Sequence, residues 1–190
     1  MVSVILLAAG ESKRMGRAKL LMPFDGSTIL GRTIANLLSS KVDEVIVVLG
    51  ARAQEIKKVL AGRGVKVVFN PDYHQGMSTS LIAGLKRVNS KAQMIIVALA
   101  DQPLIDKKIY NRLIEESLAC DKGIIVPVYQ AKRGNPIIFS KKYKAELLGL
   151  KGDVGGKEII KQHPDDILEV AVDSGSINID IDKMDEYLRI

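Results

Sequence analysis

Short runs of uninterrupted apolar residues recur along the chain, and between them apolar residues return at helical spacing. Uninterrupted runs lie at 4–7, 45–49, 94–99 and 137–139, and mainly apolar runs, broken by Lys66, Pro127 or Glu169, lie at 65–69, 123–129 and 167–172. Strands that are apolar throughout are typical of parallel sheets covered on both faces. The alternation of such strands with amphipathic helices predicts an α/β fold with a doubly wound, mostly parallel sheet.

Several local signals set the expected helix ends and strand positions. Ser27 is a plausible N-cap for a helix whose apolar face carries Leu30 and Ile34, and Asp106 is the better placed cap for a helix reaching Ala119. Pro127 removes a donor from its strand, which predicts that this strand lies at an edge or carries a bulge.

The loop after the first strand combines small residues with positive charge. Ala8, Ala9 and Gly10 allow close backbone approach, Gly16 tolerates positive φ, and Lys13, Arg14, Arg17 and Lys19 supply four cations. Exposed N–H groups beside cations suit a polyphosphate. The spacing excludes both the P-loop and the Gly-x-Gly-x-x-Gly dinucleotide motif.

Two later loops also follow apolar strands, at the sheet edge where α/β proteins bind ligands. Asn70–Leu81 contains Gly76 and three hydroxyl residues, which could contact a ligand or simply cap the next helix. Asp101 directly follows the fourth strand, where a carboxylate could hold Mg²⁺ or cap a helix.

Three further stretches leave comparable alternatives open. Gly134-Asn135-Pro136, preceded by Lys132 and Arg133, fits a hairpin turn. The glycine-rich stretch around Asp153 fits either a ligand-shaped loop or a flexible connector. Asp180 and Asp182 alternate with isoleucines, so both carboxylates are expected on one face.

Composition narrows the classes of function. The 190 residues suffice for one domain over 1–190, and a net charge of +6 suits an anionic substrate. Dispersed cations and only 4% aromatic residues disfavour nucleic acid. One cysteine excludes an intrachain disulfide, no apolar run reaches membrane length, and the apolar start of the chain leads us to expect no signal peptide. We therefore expect a cytoplasmic protein without a membrane or nucleic-acid partner.

The first loop, Leu7-Ala8-Ala9-Gly10-x-Ser12-x-Arg14-Met15-Gly16-x-x-Lys19, resembles the opening signature of the MobA-like nucleotidyltransferases. Its Ala-Ala-Gly form, followed by Leu20-Leu21-Met22-Pro23, is similar to the molybdenum cofactor cytidylyltransferases. Further likeness lies at 70–81, 99–104, 134–136 and 152–155, so the resemblance covers nearly the whole chain. The sequence departs from the family pattern at 183–184, where Lys-Met replaces the family's Thr-Pro.

This resemblance implies a Rossmann-like fold of the nucleotide-diphospho-sugar transferase type, with a small antiparallel portion on the acceptor side. It implies transfer of CMP from CTP to molybdenum-molybdopterin with Mg²⁺, giving the cytosine dinucleotide cofactor and pyrophosphate. A transient complex with a recipient molybdoenzyme or its chaperone would follow.

The resemblance also implies roles for individual residues. Catalytic roles fall on Lys19, Arg14 and Asp101, and metal binding falls on Asp101 with Asp180 or Asp182. The implied nucleotide-binding residues are Leu7, Ala8, Ala9, Gly10, Gly16, Lys19, Asn70, Gly76, Ser78 and Ser80. The implied acceptor-binding residues are Arg133, Gly134, Asn135 and Asp153.

Alternative functions keep the fold and change the chemistry. A guanylyltransferase, or a nucleotidyltransferase for another phosphorylated acceptor, would use the same first loop. A non-catalytic molybdopterin-binding chaperone would bind pterin without releasing pyrophosphate, and it would not need the carboxylate of Asp101.

Overall fold

A computed structural model of the chain describes residues 1–12, 15 and 18–188. The strands are β1 Val2–Ala8, β2 Pro23–Phe24, β3 Ser27–Thr28, β4 Glu44–Leu49, β5 Lys66–Phe69, β6 Met94–Leu99, β7 Ile124–Tyr129, β8 Lys132–Arg133, β9 Ile137–Ser140 and β10 Ile167–Ala171. The main sheet follows the order β10-β7-β9-β6-β1-β4-β5, with β8 paired to β7, and a separate ribbon pairs β2 with β3.

The centre of the sheet is parallel and one region is antiparallel. β1 pairs in parallel with both β4 and β6, and β4 pairs in parallel with β5. β9 runs antiparallel to both β6 and β7. The predicted α/β class, with a mostly parallel sheet and a small antiparallel portion, is confirmed.

Helices cover the sheet and connect its parallel strands. They are α1 Ile29–Leu38, α2 Ala53–Leu60, α3 Met77–Leu85, α4 Lys107–Ala119, α5 Lys144–Leu148, α6 Lys157–Gln162 and α7 Met184–Tyr187. Throughout the part of the chain that the structure describes, none of the helices combines the length and apolarity needed to cross a membrane.

Side chains from β1 enter two apolar clusters. Val4 and Leu6 belong to one cluster, whereas Ile5 belongs to the other, and all three are fully buried. Successive strand side chains point to opposite faces, so the sheet separates two hydrophobic layers. This double burial explains why residues 4–8 of the strand are all apolar.

Two cap predictions have different outcomes. Asp106 accepts hydrogen bonds from the N–H groups of Lys108 and Ile109, which confirms it as the cap of α4. The Ser27 prediction is wrong, because Thr28 caps α1 through its side chain and Ser27 lies in β3. Both residues carry a hydroxyl, and the β2–β3 turn decides which one reaches the helix.

The strand that contains Pro127 is internal, contrary to the edge alternative. β7 lies between β10 and β9, but its pairing with β9 covers only Ile124 and Ile125. Pairing resumes with β8 at Val128, and Pro127 accepts a hydrogen bond from Gly134 N–H at 2.9 Å. Pro127 therefore occupies the interruption where β7 changes its antiparallel partner.

Candidate active site

A cavity of about 690 Å³ opens at the carboxyl ends of β1 and β6. Its wall combines the loop after β1, the loop before α3, the end of β6 and the segment that leads into α7. The predicted site residues that line it are Leu7, Ala8, Ala9, Gly10, Lys19, Gly76, Ser80, Asp101, Asp153, Asp180 and Asp182.

Lys19 joins two distant parts of the chain at this cavity. Its Nζ atom lies 2.5 Å from Oδ2 of Asp101 and 2.8 Å from Oδ1 of Asp182. The Lys19 side chain is only 13% exposed, and burial alone would lower its pKa. The two carboxylates outweigh burial and raise the pKa of Lys19, so the ammonium stays charged at neutral pH.

A third carboxylate, that of Asp180, lies beside this group and is bound by a buried amide. Gln102 Nε2 donates to Asp180 Oδ1 at 2.6 Å, and Gln102 is only 1% exposed. Burial, followed by the charges of Asp101 and Asp182, raises the pKa of Asp180. Burial and the like charges of the cluster therefore disfavour ionisation of Asp180.

The donor set fits a divalent cation that also contacts substrate. Lys19 balances one of the three charges of Asp101, Asp180 and Asp182 when all are ionised, which leaves local charge for a cation. Over the described ranges no three carboxylate, His or Cys groups form a ready-made metal cluster. Mg²⁺ typically takes one or two carboxylates plus substrate phosphates, so a complete protein cage is not required.

Backbone hydrogen bonds fix the strand ends that carry these side chains. Ala100 N–H donates to Leu7 O at 3.1 Å, which ties the end of β6 to the end of β1. Ile181 N–H donates to Asp101 O at 3.1 Å, which holds the Asp180–Asp182 segment against β6. The carboxylates therefore converge because their backbones are hydrogen-bonded to one another.

The loop before α3 is organised largely by its own polar side chains. Asn70 is buried and donates from Nδ2 to Thr79 Oγ1 at 2.9 Å and to Ser80 Oγ at 3.0 Å. Gly76 adopts a φ of +115°, a conformation that L side chains rarely adopt. Ser80 lines the cavity, whereas Asn70 and Ser78 are not among its described lining residues.

The glycine-rich loop around Asp153 is attached to the start of α3. Asp153 Oδ1 accepts from Met77 N–H at 3.1 Å, and Gly152 O accepts from Ser78 Oγ at 2.7 Å. A Cβ on Gly76 would lie 2.6 Å from the Gly152 carbonyl carbon, so the two loops are in close contact. Asp153 thus both lines the cavity and caps α3.

The predicted acceptor residues on and after β8 lie elsewhere. Arg133, Gly134 and Asn135 are not among the described residues that line the cavity. Arg133 Nε is paired with Glu169 Oε1 at 2.6 Å on the surface, and Asn135 N–H donates to Ile177 O at 3.0 Å. The predicted roles of Arg14 and Gly16 fall outside the described residues.

Sequence reasoning did not select two other contributors to the site. Tyr73 lines the cavity and packs so closely on Gly50 that a Cβ there would lie 2.6 Å from the Tyr73 ring. Gln102 was overlooked although it is a second polar residue directly after Asp101, between an apolar strand and the apolar pair Pro103-Leu104. That placement is the signal that could have identified it.

The geometry combines a cation, carboxylates and a small-residue loop in one cavity. Such a site can bind a polyphosphate with its metal ion and stabilise charge on a transferring phosphoryl group. Basic groups for proton abstraction are not required when the attacking group is already an anion.

Comparison with known families gives an independent result. The model for the MobA-like NTP transferase domain matches residues 4–167. Among curated proteins, the chain is 28% identical to "Molybdenum cofactor cytidylyltransferase" of Escherichia coli, covering 98% of this chain and 94% of that protein. It is 29% identical to "Nicotine blue oxidoreductase" of Paenarthrobacter nicotinovorans, with coverages of 100% and 96%. It is 31% identical to "Purine catabolism protein PucB" of Bacillus subtilis, with coverages of 96% and 92%.

Solved structures extend the similarity to the fold. Rv0371c from Mycobacterium tuberculosis matches with a TM-score of 0.90 and 32% identity, covering 99% of this chain and 95% of that one. A complex of Rv0371c with manganese matches with a TM-score of 0.85 and 31% identity, with coverages of 99% and 96%. A nucleotidyl transferase from a Methanothermobacter species matches with a TM-score of 0.86 and 26% identity, with coverages of 100% and 95%.

Proposed function

Because this chain belongs to the MobA-like NTP transferase family, we propose that its residues 1–190 form a single Mg²⁺-dependent cytidylyltransferase domain. The proposed reaction transfers CMP from CTP to molybdenum-molybdopterin and releases pyrophosphate. The cytidylyltransferase relative from Escherichia coli supports this choice of base and acceptor.

One observation carries the proposal. Lys19 Nζ lies between the carboxylates of Asp101 and Asp182 in a cavity whose floor is the Ala8–Gly10 loop. A pure pterin-binding protein has no need for such a cation–carboxylate group, whereas phosphoryl transfer depends on charge stabilisation.

The residues of the chain act mainly by binding and orienting. Lys19 would turn from its carboxylate partners toward the triphosphate, together with Arg14 and backbone N–H groups of the loop from Gly10 to Gly16. Gly76 and Ser80 would border the nucleoside, while Asn70 and Ser78 shape the loop that carries them.

Asp101, with Asp180 or Asp182, would hold the metal ion, which when bound would supply positive charge to stabilise the transferring phosphoryl group. An oxygen of the acceptor phosphate bonds to the α-phosphorus while the bond to the β-phosphate oxygen breaks. Pyrophosphate leaves with that electron pair, so no residue has to remove a proton.

Acceptor binding is proposed on the side of the cavity that carries Asp153. Its carboxylate is within the cavity wall and could accept a hydrogen bond from the pterin ring. A role for Arg133 in binding the acceptor phosphate requires its pair with Glu169 to open. The product would then pass to a recipient molybdoenzyme, or to its chaperone, in the cytoplasm.

The test is pyrophosphate release from CTP, GTP, ATP and UTP separately, with Mg²⁺ or Mn²⁺, and with or without molybdenum-molybdopterin. We expect release only when CTP and the pterin are both present. Release with GTP instead would assign the guanylyl reaction and reject the proposed base.

A second candidate function is nucleotidyl transfer to a different phosphorylated acceptor. The three relatives named above are similar to this chain at nearly equal identity, yet their names describe different processes. Release of pyrophosphate that depends on another phosphorylated compound would support this alternative. Tight pterin binding without any release would support a chaperone.

A further inference from the structure

The segment that carries Asp180 and Asp182 is held by contacts behind the cavity. Its first anchor is Ile177, a fully buried residue whose carbonyl oxygen accepts two hydrogen bonds. Asn135 N–H donates to this oxygen at 3.0 Å, and Gln102 Nε2 donates to it at 3.3 Å. Ile181, also fully buried, provides the second anchor through its N–H bond to Asp101 O.

Gln102 is the side chain that connects this anchor to a carboxylate. Its Nε2 atom donates both to Ile177 O and to Asp180 Oδ1, the latter at 2.6 Å. These two acceptors fix the orientation of the amide, because a flipped amide would direct its own oxygen at both of them. Gln102 Oε1 is consequently left as a buried oxygen without a hydrogen-bond partner among the described residues.

Such an arrangement costs stability, since a buried acceptor without a hydrogen bond is unfavourable. A methionine has nearly the same shape and would remove that cost. The donors of Gln102, rather than its packing, therefore explain why an amide fits the site.

We propose that Gln102 is a positioning residue that holds Asp180, and through Ile177 the whole Asp180–Asp182 segment, in the arrangement that binds the divalent cation with Asp101. This inference rests on the proposed function for the identity of the cation-dependent reaction. It assigns no contact between Gln102 and the substrate.

Gly134 supports the same segment from the other side. A Cβ at this position would overlap the Ile177 carbonyl oxygen and would lie 2.8 Å from Ile177 Cβ. The close approach brings Asn135 N–H onto the Ile177 carbonyl. The Gly134-Asn135 turn, which does not line the cavity, thus acts on the carboxylates through Ile177.

The test measures Mn²⁺ binding to the whole protein by electron paramagnetic resonance, with Mn²⁺ alone as the probe. We expect Gln102→Met to weaken Mn²⁺ binding roughly 10- to 100-fold, the range seen when partners of metal ligands are removed. Its unfolding temperature is expected to change little, because removal of the unpartnered Oε1 offsets the loss of the two hydrogen bonds that Gln102 donates. Gly134→Ala is expected to weaken Mn²⁺ binding as well, with a lower unfolding temperature.

Asn36→Leu is the matched control. Asn36 Nδ2 also donates to two carbonyl oxygens, those of Pro103 and Ile105, and none of its described hydrogen bonds goes to a carboxylate. We expect this variant to lower the unfolding temperature and leave Mn²⁺ binding unchanged. An equal loss of Mn²⁺ binding in Asn36→Leu would overturn the inference, because general loosening after β6 would then explain both variants.

Two further outcomes separate this inference from the proposed function. Wild-type Mn²⁺ affinity in Gln102→Met, or no Mn²⁺ binding by the wild-type protein, overturns the positioning role. If the wild-type protein binds Mn²⁺ but releases no pyrophosphate from any NTP, only the proposed reaction fails. The comparison of Mn²⁺ affinities still decides the role of Gln102.

Discussion

Lys19 Nζ donates to Asp182 Oδ1 at 2.8 Å across a sequence separation of 163 residues. This contact brings the loop after β1 to the segment before α7, and Asp101 at the end of β6 completes the group. A cation held by two carboxylates is ready to exchange one of them for a phosphate, because both are anionic oxygen ligands.

Replacing Lys19 by Met tests this exchange. Loss of the ammonium removes a positive charge from the triphosphate site and from its contacts with two carboxylates, so we expect pyrophosphate release to fall roughly 10²- to 10³-fold. Steady-state release assays measure it. Lys41→Met is the control, because Lys41 forms an exposed pair with Glu115; similar losses in both variants would argue against a role for Lys19.

Replacing Asp101 by Asn preserves shape and removes charge. We expect turnover to fall by about 10²-fold or more while circular dichroism shows the native fold. Asp106→Asn is the matched control, because Asn caps helices as well as Asp does and Asp106 serves as the cap of α4. Full activity in Asp101→Asn would remove this carboxylate from the site.

Gly50→Ala probes the cavity wall without touching a charge. The new Cβ would lie 2.6 Å from Tyr73 and 2.7 Å from Ala9 O, so Tyr73 must shift. We expect the KM for the nucleotide to rise roughly 10- to 100-fold, because small displacements of binding groups are costly. Gly149→Ala is the control, because its new Cβ would lie 3.3 Å from Glu146 O, and it should leave the KM for the nucleotide unchanged. An unchanged KM in Gly50→Ala would show that the cavity wall tolerates the shift of Tyr73.

Glu44 gives a prediction for stability against pH. Its carboxylate is buried; burial opposes ionisation, but Lys66, Ser3 and the Asn89 N–H outweigh it and lower the pKa of Glu44 below 4.5. Because the folded-state pKa is the lower one, the stabilisation is complete above pH 4.5 and is lost as the pH falls through the folded-state value.

Glu44→Gln should therefore lower the free energy of unfolding by about 1–2 kcal/mol at pH 7, and the difference should shrink below pH 4.5. Urea unfolding at a series of pH values measures it. A difference that does not change with pH would mean that packing, rather than charge, explains the loss.

Much of the fold and part of the candidate site followed from local patterns. Uniformly apolar strands predicted the parallel sheet because such strands are buried on both faces. Asp101 was recognisable because it directly follows a strand, where its side chain must emerge at the ligand-binding edge of the sheet. The family resemblance is confirmed by the match to residues 4–167.

Structural features that depend on contacts between distant residues could not be predicted from local sequence patterns. The capping hydroxyl moved from Ser27 to Thr28 because the β2–β3 ribbon sets the helix start. The internal position of Pro127 depends on where β8 begins. Likewise, the acceptors of Gln102 lie 75 and 78 residues away, beyond any local spacing rule.

The late position of Asp180 and Asp182 also has a consequence during synthesis. A growing chain contains the residues of the Gly10 loop, β1 and β6 before these carboxylates are added. Until then Lys19 has only Asp101 as a described partner, so the charge cluster is completed last. A protein that loses its final segment to a protease or an early stop codon would keep the sheet's central strands but not this cluster.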